Sequence, residues 1–309
     1  MSKPAIIAHR GASGYRPEHT LAAYELAIAQ GAEAIELDIV PTKDGELVVR
    51  HDSELSQTTD ILTHPELSHY RTPKTLYGQT LEGWFTEDLT LAEIKTLRAK
   101  EPFSFRSSDY DFQYPILTLS EVLQWHQVTQ QKLQRPITLY IEIKHSHYFR
   151  SLGLPLEERL IELLKNKGYK FSLDPILILS FEIESVQYLR SLTDLRLIQL
   201  MAQAEDRPYD RMIKGDPVTY QELLSLPQLT QIAQYASGLG LHKELLWSKG
   251  RQDLVNQCHD LNLTVNVWTF RRESQFVLPD FSGDWQKEMQ AFMNLGIDSL
   301  ITDFPDVDR

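Results

Sequence analysis

Apolar positions along this chain follow two rhythms that take turns from one end to the other. Short runs rich in Ile, Leu, Val and Ala alternate with stretches whose apolar residues stand three and four apart, the pattern of strands joined by crossover helices. Nine runs read as strands: Ala5–His9, Ala34–Val40, Leu47–His51, Ile137–Lys144, Ile176–Phe181, Leu195–Leu200, Gly238–His242, Thr264–Thr269 and Ser299–Asp303. Strand and helix in alternation predict an α/β fold with a parallel sheet, and the number of strands points to a TIM-type (β/α)8 barrel. A closed barrel has eight strands, so one run is a hairpin partner or a loop. Leu47–His51 and Gly238–His242 carry the weakest strand patterns.

The helices announce their ends. Pro17 and Thr20 precede Leu21, Tyr24 and Ile28, and Gly31 stops the pattern, so residues 21–30 read as the first helix. Thr90 with Glu93 and Thr118 with Glu121 have the spacing of capping boxes. Leu156 to Lys167 runs to Gly168, and Trp285, Met289, Phe292 and Met293 stripe a last helix ended by Gly296. Residues 53–115 break the rhythm with prolines, aromatics and a single good helix, which predicts an insertion on one barrel loop. Its Tyr70, Tyr77, Trp84, Phe85, Phe103 and Phe105 argue for an ordered cap. With no linker or repeat, residues 1–309 read as one barrel domain carrying that insertion.

Strand parity turns this pattern into chemistry. In Ala34–Ile39 the isoleucines and Leu37 share one face, which in a barrel meets the outer helices, so Glu36 and Asp38 point inward. Two like charges in low dielectric are costly unless a proton or cation neutralises them, and a hard divalent cation is the simplest neutraliser. The same parity aims Glu142 and Lys144 inward from another strand. A bland alternative is an interior salt bridge between those two, but a third inward carboxylate favours a metal site. Oxygen ligands without clustered Cys or His suit magnesium or calcium.

His9 and His51 each follow an apolar run, at the strand ends where barrel active sites are built. Lone histidines there are usually loop hydrogen-bonders. Two of them, each with a charged neighbour in Arg10 or Asp52, fit proton transfer at both ends of a phosphodiester cleavage. Arg10 offers a planar fork for phosphate oxygens. Glu18 either orients a histidine, binds the cation or simply precedes a helix start.

Composition narrows the substrate. Lys plus Arg number 31 against 43 Asp plus Glu, a net charge of −12, and no basic stripe relieves it, which disfavours nucleic acid and favours a small molecule. The single cysteine, Cys258, lies at apolar helical spacing and excludes an internal disulfide. No apolar run is long enough to span a bilayer. The Met-Ser-Lys-Pro start leads straight into the first strand, which reads as cytoplasmic, or as periplasmic if a leader has been removed.

The string from His9 to Thr20, then Glu36-Leu37-Asp38, Thr42-Lys43-Asp44-Gly45, Val48 to Asp52, Glu142-Ile143-Lys144 and Thr302-Asp303-Phe304-Pro305 resembles the glycerophosphodiester phosphodiesterase family. Length and the Pro17-Glu18-His19-Thr20 variant resemble its larger, calcium-using branch typified by bacterial periplasmic enzymes. The resemblance implies a phospholipase-C-like barrel that hydrolyses glycerophosphodiesters to sn-glycerol 3-phosphate and an alcohol. It implies His9 and His51 as the acid/base pair, Arg10 and Lys144 as phosphate binders, and Glu36, Asp38 and Glu142 as ligands of one calcium or magnesium ion. Glu18 matches a supporting position. Trp268 resembles an aromatic beside the glycerol, with a buried barrel tryptophan as the alternative. Arg50 stands where an apolar residue is expected, and alternation aims it away from His51. Two rivals are a barrel phosphodiesterase acting on lysophospholipids, which predicts an apolar groove beside the site, and an idle barrel that only binds a phosphodiester, which predicts a missing histidine or carboxylate.

Overall fold

The computed structural model describes residues 3–248 and 253–307; the other positions of the expected 1–309 unit lie outside the described residues. Strands run in chain order as β1 (Ala5–His9), β2 (Ala34–Pro41), β3 (Leu47–Val49), β4 (Thr72–Leu76), β5 (Gln79–Gly83), β6 (Thr138–Ile143), β7 (Ile176–Ser180), β8 (Arg196–Met201), β9 (Gly238–His242), β10 (Thr264–Phe270) and β11 (Ser299–Thr302). Eight of these close a parallel barrel in the order β1, β2, β6, β7, β8, β9, β10, β11 and back to β1. Of the two weak strands, β3 is the hairpin partner, antiparallel to β2, and β9 belongs to the barrel.

Sequence alternation sorts side chains between the two sides of the barrel wall. Ile6, Ala8, Ile35 and Leu37 face outward into the main apolar core, where the surrounding helices cover them. Inward, Leu177, Leu179, Ile198 and Leu200 form one closed apolar cluster, and Ile7, Ala34 and Ile301 form another. Apolar layers thus plug the barrel interior, and the charged inward residues come later along the strands, at the C-terminal mouth. Strand β9 looked weak because its inward positions are glycines. A Cβ on Gly240 would stand 2.3 Å from Leu200 Cδ2, so the space that its side chain would fill is already taken by β8.

The helix signals hold at the starts. In α1 (Leu21–Ala29) the Thr20 hydroxyl accepts from the Ala23 N–H at 3.1 Å. Both capping boxes form, opening α2 (Leu91–Ile94) and α3 (Leu119–Leu133). The helix in the 53–115 segment is a single turn, because the chain beyond it pairs Arg98 with Pro115 and Ala99 with Thr59 instead. That segment also holds a hairpin the hydrophobic pattern did not reveal, since Thr72-Pro73-Lys74-Thr75 and Gln79-Thr80 carry almost no apolar alternation. Its two-residue loop is Tyr77-Gly78, both with positive φ (51° and 78°), the primed-turn geometry of tight hairpins. Trp84 and Phe85 are buried, so the segment is ordered by its own aromatic packing. Among the described residues no helix is long and apolar enough to cross a membrane.

Candidate active site

Strands β2 and β6 are hydrogen-bonded neighbours, and Asp38 pairs with Glu142 in their register. Glu36, Asp38 and Glu142 therefore converge: each offers an oxygen, those oxygens all lie within 4.8 Å of one another, and all three residues are buried. Burial together with Asp38 and Glu142 pushes the Glu36 carboxyl well above its ordinary range. Burial also raises Glu142 to about 8, against the pull of Lys144. Asp38 goes the other way, because Lys144, His51 and His19 outweigh the cost of burying its charge. Its Oδ1 is buried and has no hydrogen-bond partner. An orphaned carboxylate oxygen in an all-oxygen cluster fits a hard divalent cation.

The cationic groups frame this cluster. Lys144 Nζ stands 2.6 Å from Glu142 and 3.5 Å from Asp38. Arg10, at the end of β1, takes a left-handed backbone (φ 58°) that brings its N–H to Glu36 at 3.0 Å, and its Nη1 donates to Glu18 at 2.6 Å. The hydrogen-bond partner of Glu18 here is thus an arginine. Arg50 corrects the sequence reading: β3 ends at Val49, so alternation does not reach it, and its side chain is buried with Nη2 3.3 Å from Glu18. Burial opposes ionisation of Glu18, yet Arg10 and Arg50 pull it down to about 2.

His9 and His51 open onto one cavity of about 500 Å³, together with Arg10, Glu36, Glu142 and Lys144. His9 Nδ1 is tied to Asp303 Oδ1 at 2.6 Å, which leaves Nε2 for chemistry. Burial and the neighbouring Arg10 lower His9 to about 4, so at neutral pH its imidazole is uncharged. His51, with its side chain 31% exposed, has Nδ1 3.0 Å from Asp52. Trp268 lines the same cavity, with Nε1 donating to the Gly240 carbonyl at 3.0 Å and its ring edge-on to Phe181.

The sequence model of the glycerophosphoryl diester phosphodiesterase family matches residues 9–307. The chain belongs to that family. It is 34% identical over 322 residues to the glycerophosphodiester phosphodiesterase GDPD6 of Arabidopsis thaliana, covering 98% of this chain and 84% of the relative. It is 28% identical over 334 residues to the Haemophilus influenzae enzyme of the same name, covering 99% and 88%. The fold matches a putative glycerophosphoryl diester phosphodiesterase from Silicibacter pomeroyi with a TM-score of 0.69 at 23% identity, covering 98% of this chain and 91% of that one. An Oleispira antarctica phosphodiesterase solved with the product sn-glycerol-3-phosphate matches with a TM-score of 0.63 at 21% identity, covering 98% and 94%.

In this member of the family, sequence reasoning missed the groups that hold the site in place. Asp303 was visible only as part of a motif. Its Oδ2 accepts from Arg106 Nη2 and from Arg271 Nε, each at 2.7 Å, and Arg106 comes from the 53–115 segment. His19, in the Pro-Glu-His-Thr stretch, puts Nε2 3.0 Å from Asp38 and Nδ1 3.3 Å from the Tyr24 hydroxyl. Partners of this kind orient ligands and catalytic groups.

Proposed function

We propose that this barrel hydrolyses glycerophosphodiesters, such as glycerophosphocholine and glycerophosphoethanolamine, to sn-glycerol 3-phosphate and the alcohol, with the help of one divalent cation. What carries the reading is the convergence of three buried carboxylates beside two histidines and two phosphate-seeking cations, in a chain of this family. The product bound in the Oleispira antarctica phosphodiesterase is the product proposed here. Residues 1–309 act as one catalytic domain, in which 53–115 is an insertion that braces the site.

Glu36, Asp38 and Glu142 would hold the cation, calcium or magnesium, which supplies Lewis-acid stabilisation of charge on a phosphate oxygen. Arg10 and Lys144 donate to the remaining phosphate oxygens as charge grows on them, and Glu18 fixes the Arg10 fork. One imidazole of the His9 and His51 pair takes a proton from the attacking hydroxyl, that of water or that of the glycerol C2, in which case water opens the resulting cyclic phosphate in a second step. A new P–O bond forms while the P–O bond to the alcohol breaks, and the other imidazole returns a proton to the departing oxygen. Trp268 supplies an apolar surface against the glycerol. The test is incubation with glycerophosphocholine and assay of glycerol 3-phosphate. Product is expected with calcium or magnesium and none after chelation. Absence of product with either ion overturns the reading, and full activity in His9→Ala overturns the histidine roles.

A further inference from the structure

A second cavity, of about 520 Å³, adjoins the first, and Glu142, Lys144 and Phe181 line both. Its volume is that of a small-molecule site. Three tyrosines, Tyr77, Tyr209 and Tyr220, join Phe181 in its walls. The ring of Tyr77 sits 3.9 Å from that of Tyr209 and 4.3 Å from that of His145, centroid to centroid. Tyr77 is the left-handed tip residue of the β4–β5 hairpin, so the 53–115 segment reaches into the barrel mouth to complete this wall.

The same cavity is lined by Glu182, only 4% exposed, just beyond the end of β7. One of its oxygens accepts from the Tyr77 hydroxyl and the other from the His147 N–H at 2.8 Å. No described lysine, arginine or histidine side chain forms an ion pair with it. Lys144, on the shared wall, is already committed to Glu142 and Asp38. Arg207 is on the exposed rim, next in sequence to the exposed Glu205 and Asp206. The cavity therefore combines π faces with a buried carboxyl group that has hydrogen-bond partners but, among the described side chains, no cationic one.

We propose that this cavity receives the alcohol arm of the phosphodiester and selects alcohols that carry a methylated ammonium group. The inference rests on the hydrolase reading above. Lys144, a donor to the phosphate in that reading, borders both cavities, so the two ester arms of a phosphate it holds can part between them. The first cavity offers polar groups for glycerol, among them Gln203 and Arg271. The second offers what a trialkylammonium needs: aromatic faces, a counter-charge and no demand for hydrogen-bond acceptors. A primary ammonium brings three donors that the rings satisfy poorly. An acyl chain would bring the Glu182 carboxyl no cationic partner.

The test compares kcat/KM of the full chain, supplied with calcium or magnesium, on glycerophosphocholine, glycerophosphoethanolamine and glycerophosphoglycerol, read as glycerol 3-phosphate release. Glycerophosphocholine is expected to exceed glycerophosphoglycerol by about ten-fold, with the ethanolamine diester between them. Tyr209→Leu is expected to bring that ratio close to one and to weaken competitive inhibition by choline, while Tyr209→Phe, which keeps the ring, preserves both. Should Tyr209→Leu fail to fold, Glu182→Gln reads the same ratio. Equal turnover of the three diesters, or a ratio unmoved in these variants, overturns the subsite and leaves the hydrolase intact. Faster turnover of lysophosphatidylglycerol than of glycerophosphocholine assigns the walls to an acyl chain and also overturns it. Absence of product from every diester overturns the hydrolase reading itself, and the subsite with it.

Discussion

His9 presents one nitrogen to the cavity because Asp303 holds the other, and Asp303 keeps its charge because two guanidiniums share its second oxygen. Burial alone would favour protonation of that carboxyl, but His9, Arg271 and Arg106 hold it well below its ordinary range. Replacing Asp303 by Asn should therefore do two separable things. It frees the imidazole to take the wrong tautomer, with an expected loss in kcat of about 10²-fold or more. It also takes the carboxylate partner from Arg271 and leaves Arg106 with Glu273 alone, at a cost of about 1–3 kcal/mol. A thermal melt beside the kinetics tells the two apart: a large fall in kcat with an unchanged melt would mean that Asp303 only orients His9. Nothing periodic in the sequence connects these groups. Arg106 lies 197 residues from Asp303 in an aromatic-rich loop, so only the fold brings them together. Glu36, Asp38 and Glu142 were legible for the opposite reason: each sits inside a strand, where a period of two fixes its direction.

At the scale of elements, β9 shows what pattern reading loses when packing overrides propensity. Its Gly-Leu-Gly-Leu-His sequence reads as a poor strand, yet Leu239 and Leu241 are fully buried in the outer core while Gly238 and Gly240 leave room inside for Thr264, Ile198 and Leu200. The small inner face also frees the Gly240 carbonyl to accept from Trp268 Nε1, which fixes the indole in the wall of the catalytic cavity. Gly240→Val should therefore destabilise the barrel by about 1–3 kcal/mol through overpacking against Leu200. It should also raise KM for the diester more than it lowers kcat, because a shift of the Gly240 backbone moves the carbonyl that holds Trp268 and no histidine. Denaturant unfolding and steady-state kinetics of the variant check both parts, and a variant as stable as the parent would show that β8 yields to the new side chain. The β4–β5 hairpin was illegible for a different reason: it is held by backbone pairing and by Tyr77, with no buried stripe to mark it.

For the whole molecule, the apolar layers of the barrel interior and the charged mouth make opposite demands on the same fold. Without a cation, burial and mutual repulsion raise Glu142 from 4.5 to about 8 and raise Glu36 as well, so the folded chain binds protons there that the unfolded chain has already released. His9, lowered from 6.5 to about 4, acts in the other direction, as do His19, His126, His145 and His242, which burial also lowers, but these contributions fade as the pH rises above 6.5. Between about pH 6.5 and 8 the folded state thus holds more protons than the unfolded one, and stability falls as pH rises. A divalent cation held by these carboxylates would displace the protons and remove this slope, adding stability by mass action where competition from protons is least. Melting temperatures of chelated protein should therefore drop from pH 6.5 to 8, and the rise on adding calcium or magnesium should be larger at pH 8 than at pH 6.5. Glu142→Gln, which cannot ionise at that position, should flatten the chelated profile and shrink the response to cation together. A profile that stays steep in Glu142→Gln would place the titrating group elsewhere, with the buried Glu36 as the next carboxyl to replace.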